Sequence, residues 1–111
     1  MAINTQVLQD EWKEFFVSFS NGNDCRMLSL DVLDPESGSS GQVKQGRLIA
    51  VDYDPAGKGN DIVVTTGDGE VDYSHTIKAP VEVWKAQRDS GEVGALEIID
   101  QNNIKTILSL S

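Results

Sequence analysis

The sequence predicts an α+β fold: an N-terminal amphipathic helix followed by a mainly antiparallel sheet of about six strands, bent toward a small open barrel. Three observations predict it. Apolar residues near the N-terminus recur at helical spacing. Beyond Gly22 the apolar period changes to two. The segments of period two are joined by turns too short for the long crossovers that parallel strands require.

The helix is expected over about residues 5–20. Val7, Leu8, Trp12, Phe15, Phe16 and Phe19 form one broad apolar stripe, and Gln9, Asp10, Lys13, Glu14 and Ser18 fill the other side. Asn4 or Thr5 offers a short side-chain oxygen to cap the first turn. Gly22 suits a left-handed residue just past the helix end. All three phenylalanines and one of the two tryptophans lie in this segment, so the helix is expected to supply much of the core.

The sheet is expected over about residues 25–110. In the first strand Leu28, Leu30 and Val32 point one way, and Met27, Ser29 and Asp31 the other. Met27 and Leu33, on that second face, hint that it is not wholly wet. Asp34-Pro35 breaks the strand, and the polar, glycine-rich stretch that follows reads as a mobile loop over 34–45. Strands then follow at about 47–53, 61–66 and 73–77. Val81–Ser90 carries mixed signals. Val81, Val83 and Trp84 favour a strand, but Pro80 and Gly91 suit the two ends of a helix, and the expectation leans to a short helical turn. The last strands run from Ala95 to Ile99 and from Ile104 to Leu110, with Asp100–Asn103 as the hairpin turn. Ile104, Thr106, Leu108 and Leu110 share a face.

At 111 residues the whole chain, 1–111, is expected to be one domain. A chain of this mass buries roughly two-thirds of its unfolded area, enough for a core without disulfides or metals. The net charge is −9. Residues 1–55 carry nine acids and four bases, and residues 56–111 nine acids and five bases, so the excess is spread along the chain. Binding phosphate backbones relies on Lys and Arg displacing counterions. Nucleic acid and anionic membranes are therefore not expected as partners. The single cysteine, Cys25, makes no internal disulfide. The N-terminus lacks the basic start and apolar run of a secretory signal, and no apolar run approaches the ~20 residues that span a bilayer. The expected location is a reducing cytoplasm.

Candidate sites are few. His75 is the only histidine, so no histidine pair exists for a metal. It shares a strand face with Tyr73 and Ile77. Read functionally it is a general base in a pocket; read structurally it is a hydrogen-bonded core imidazole, which a lone strand histidine more often is. Tyr53, Tyr73 and Trp84 are the other candidates for a ligand groove or interface, where such aromatics are favoured. Asp52-Tyr53-Asp54-Pro55-Ala56-Gly57 opens like a calcium loop but fails, with Ala56 and Val63 where oxygen ligands belong. Asp68, Glu70 and Asp72 form a second acidic turn. Gly57-Lys58-Gly59 is too short for a phosphate loop. No catalytic residues, metal or cofactor are assigned.

Glu11-Trp12, Phe15-Phe16, Phe19-Ser20, His75-Thr76-Ile77 before Pro80, and Leu96-Glu97-Ile98 before the closing hairpin resemble, over most of the chain, an uncharacterised bacterial family of the domain-of-unknown-function kind, cyanobacterial in type. That resemblance carries no functional residues. A looser resemblance in architecture is to Sm-like small barrels, whose basic RNA-binding faces this acidic chain lacks. The expectation is a non-enzymatic cytoplasmic module that binds a protein, peptide or small ligand, or a second copy of itself. A small enzyme using His75 with a nearby carboxylate or Cys25 is the alternative. Weak divalent-metal binding at the acidic turns is the third.

Overall fold

The chain begins as a strand, not a helix. In the computed structural model, which describes residues 3–23, 26–34, 39–54, 59–67, 71–87 and 93–110, β1 spans Ile3–Val7. Ile3, Thr5 and Val7 are β-branched and alternate, which suits a pleated strand better than a helical turn. Val7 is buried from this strand, whereas Leu8 is 56% exposed. A single 3-10 turn at Gln9–Glu11 leads into α1, Trp12–Asn23. The indole of Trp12 donates to the Val7 carbonyl at 2.8 Å and ties the helix start to the strand end. The helix expected over 5–20 is thus corrected at both ends. Asn4 and Thr5 belong to β1 rather than to a cap, and Gly22 continues the helix without a left-handed turn. The stripe is retained from Trp12 onward: Trp12, Phe16 and Phe19 are buried, at the i, i+4, i+7 spacing of one helical face.

Seven further strands follow: β2 (Met27–Asp34), β3 (Ser39–Asp54), β4 (Asp61–Gly67), β5 (Val71–Lys78), β6 (Pro80–Gln87), β7 (Val93–Asp100) and β8 (Lys105–Leu110). All pairings are antiparallel, as expected. The eight strands, two more than expected, form one sheet in the order β1-β6-β7-β8-β2-β3-β4-β5. β1 and β6 are the additions. The helical turn expected over 81–90 is corrected: Val83 sits opposite Val7 of β1 and Ile98 of β7 and is fully buried. Two ladders outweigh the helix signals, and Pro80 stands at the first strand position, where its missing N–H is tolerated. Residues 88–90 lie outside the described part. The mobile loop expected over 34–45 is corrected as well. Asp34 closes β2 and residues 39–45 lie in β3, paired with β2 from Ser39 opposite Asp34 to Gln45 opposite Ser29; residues 35–38 lie outside the described part. The polar composition misled because ladder bonds are made by backbone, whatever the side chains.

β3 gives the sheet its shape. Sixteen strand residues run to roughly 50 Å when straight, but the molecule extends only 31 Å along its longest axis. The strand must bend. Its β4 ladder is irregular between Leu48 and Ala50, and such irregularities sharpen strand curvature. The first part of β3 pairs with β2 and the last with β4, so the bend folds the β4–β5 end over the rest. Leu28, Leu30, Leu48, Ile62, Val64, Ile77, Leu96, Ile98 and Leu108 meet in the core with the three buried aromatics of α1.

The helix is fastened where a strand neighbour is missing. Beyond Arg47, β3 has lost β2 as its partner. The Val51 N–H therefore donates to Ser20 Oγ at 2.9 Å, and the same hydroxyl donates to the Val51 carbonyl at 3.1 Å. One serine replaces one rung of the ladder. The sheet does not close: β1 and β5 end the strand order.

Candidate binding cleft along the edge strand β5

Three chain corners meet at one end of the sheet. Ala79, between β5 and β6, takes a left-handed φ of 52°. Its N–H donates to the Asn60 carbonyl at 2.9 Å, and its carbonyl accepts from the Gln101 N–H at 3.0 Å. The β7–β8 turn is ordered by Asp100, whose Oδ1 accepts the N–H groups of Asn102 at 2.8 Å and Ile104 at 3.1 Å. Asn103, with φ 65°, completes that turn, as a residue type that tolerates the left-handed region. These bonds bring the β7–β8 hairpin alongside β5.

Between them lies a cleft of about 290 Å³ lined by His75, Thr76, Ile77 and Lys78 of β5, Asp100, Ile104 and Thr106 of the hairpin, and Val32 of β2. Four consecutive β5 residues line it. β5 pairs with β4 along one edge, and it stands last in the strand order, so its other edge borders the sheet's end. That edge has no partner strand among the described residues.

His75 is half-buried, opposite the core residue Val64. Burial lowers its pKa below the usual 6.5, because desolvation disfavours the imidazolium. The ring is therefore neutral at pH 7. It stacks with Tyr73 at 6.4 Å between centroids, and the phenol oxygen lies 3.4 Å from Nδ1. A neutral imidazole presents one donor and one acceptor.

The other predicted residues lie elsewhere. Trp84 alternates with the core residue Val83 and is on the solvent face of the sheet. With Lys85, Ala86, Ala95, Leu96, Glu97 and Ile107 it lines a second cavity of about 280 Å³, and its indole N–H donates to Glu82 at 3.3 Å. Glu97 also meets Lys105 at 3.4 Å. Tyr53 packs edge-to-face on Trp12, 5.3 Å between centroids, against the core. The structure thus joins Tyr73 and His75 and separates both from Trp84 and Tyr53. Cys25, Asp68 and Glu70 lie outside the described residues, Asp52 and Asp54 are exposed on β3, and among the described residues no group of three or more His, Cys, Asp or Glu could hold a metal. No helix among the described residues is long and apolar enough to cross a membrane.

Sequence reasoning missed Lys78, Asp100 and Val32 as cleft residues, since nothing along the chain places the hairpin against β5. Thr106 was within reach: it is the one hydroxyl in the apolar alternation Ile104, Thr106, Leu108, Leu110, and it is only 2% exposed.

The fold and the cleft define a class: a small, open antiparallel sheet with an N-terminal helix and an unpaired edge strand beside a cleft. The chain belongs to a family of unknown function (DUF5335), whose model matches residues 3–111. It is also similar to an uncharacterized protein of Aquifex aeolicus (strain VF5), 26% identical over 102 residues that cover 92% of this chain and 86% of the relative. No solved structure matches the chain. These matches give the family; neither a cyanobacterial type nor an Sm-like fold follows from them.

Proposed function

We propose that the chain is a non-enzymatic binding module that takes an extended peptide segment along β5. The observation that carries this reading is the cleft lined by four consecutive residues of an edge strand. Strand addition supplies affinity through backbone bonds and specificity through pockets for alternate side chains. Four residues of strand run about 13 Å, so a segment of roughly that length is the unit recognised. Ile104 and Val32 offer apolar contact, and His75, Thr76 and Lys78 offer polar contact.

The test is to select peptides from a displayed random library and map the tightest by amide NMR. Shift changes and slowed hydrogen exchange are expected at 73–78, Ile104 and Thr106. A footprint centred on Trp84, or no enrichment over an unrelated acidic domain, sinks the reading.

A small enzyme using His75 is the second reading. What favours it is that His75 lines an open cleft with a phenol oxygen 3.4 Å from its ring. Against it, Asp100, the carboxylate in that cleft, already holds two backbone N–H groups through Oδ1. Turnover of activated esters that is lost in His75→Gln would shift the balance to this reading.

A further inference from the structure

The two ends of the sheet differ in charge. β5, Val71–Lys78, carries Asp72 and Lys78 near its ends. β1, Ile-Asn-Thr-Gln-Val, carries no charge in a chain of which 24% is charged. Natural sheets guard an exposed edge with charges, proline, bulges or short strands. Of these devices β1 has only shortness: it holds no charge or proline, and its pairing with β6 is regular over all five residues.

We infer that the β1 edge is an interface between two copies of this chain, paired antiparallel about a two-fold axis at Thr5. The sequence of β1 is symmetric in residue type about that point. A two-fold there brings residue 5 of one copy into register with residue 5 of the other, residue 4 with 6 and residue 3 with 7, so the sequence I-N-T-Q-V reads the same by residue type from either copy. Such isologous symmetry is what a two-fold interface requires, and Thr opposite Thr is a favourable cross-strand pair. The absence of charge matters doubly here. Two copies of net charge −9 repel, and a charged residue in β1 would face its neighbour in the partner at the point of closest approach. The result is a sheet of sixteen strands running through both copies. The Trp84 cavities then share one face, because Trp84 lies opposite Gln6, one strand in from the edge. The interface is small, so the dimer forms with concentration rather than persisting at any dilution.

Light scattering and sedimentation over a range of concentrations test this. The intact chain is expected to move from 12.1 kDa toward twice that mass as concentration and salt rise. Thr5 is exposed, so Thr5→Lys, which sets two cations together at the axis, is expected to keep the circular dichroism of the parent and stay at the mass of one chain. In a Cys25→Ser background, Thr5→Cys is expected to form a disulfide-linked dimer on mild oxidation, faster than Cys placed at the exposed Ser74 of β5. A single-chain mass at every concentration, a dimer that survives Thr5→Lys, or cross-linking no faster at position 5 than at 74 would each overturn the inference. None of these outcomes bears on peptide binding at β5, at the other end of the sheet.

Discussion

A single hydroxyl and a single imidazole show how much rests on individual residues. Ser20 Oγ takes both the N–H and the carbonyl of Val51, which have no strand to pair with. Ser20→Ala leaves two backbone groups under the helix without partners. Buried polar groups left so cost about 1–3 kcal/mol, and this site is only partly buried, so a loss of about 1–2 kcal/mol in urea unfolding is expected. His75 gives a pH-dependent effect. Its folded pKa is lowered by burial, so between that value and the unfolded value of about 6.5 the unfolded chain binds more protons. Stability tied to the neutral ring is therefore complete above about pH 6.5 and is lost as pH falls through the folded value. Urea titrations of the parent and His75→Gln at pH 7.5 and pH 5 are expected to show the advantage of the parent shrinking at the lower pH. A constant difference would show that burial does not control this titration.

At the scale of the element, α1 and β3 divide the work. The helix buries Trp12, Phe16 and Phe19, and lies chiefly against β3. Gly22 sits inside it with no positive φ, and a Cβ built there meets nothing within 4 Å. Glycine in a helix costs roughly 0.5–1 kcal/mol relative to alanine. One residue from the helix end the lower figure applies, so Gly22→Ala is expected to raise stability by about 0.5 kcal/mol. A loss on the same substitution would mean that Gly22 needs the left-handed conformation which its place after an apolar stripe suggested. The strands β2 and β3 carry the opposite lesson. Leu28 and Leu30 announce a half-wet strand by alternation. The run through Ser39, Ser40 and Gly41 announces nothing, because its state depends on β2 lying beside it.

For the whole molecule the governing quantity is charge. A net charge of −9 on a body about 30 Å across places all the acids within about one Debye length of each other at low salt, and self-repulsion opposes compaction. Raising sodium chloride from low to physiological ionic strength is expected to raise the melting temperature by a few degrees. The gain is expected to level off as the screening length falls below the spacing of the surface charges. An unchanged or falling melting temperature would show that local ion pairs, such as Glu97–Lys105 at 3.4 Å, outweigh the general repulsion.

By itself the sequence determined the parts whose signal is local. The apolar face of α1 from Trp12 on, the alternation of β2 and β8, the presence of β4 and β7 as strands, the turn at Asp100–Asn103 and the antiparallel class all follow from periodicity, composition and turn chemistry, which act over a few residues. Tertiary structure alone decided the rest. It made Ile3–Val7 a strand because β6 was there to pair with, and it made Pro80–Gln87 a strand because β1 and β7 flank it. It bent β3 because a straight strand would outreach the core, and so carried the β7–β8 hairpin to the free edge of β5. It also set His75 in the cleft with Tyr73 against its ring, and Trp84 on the opposite face. Those outcomes depend on ladder bonds and packing between residues tens of positions apart, and a reading of neighbours along the chain has no access to contacts at that distance.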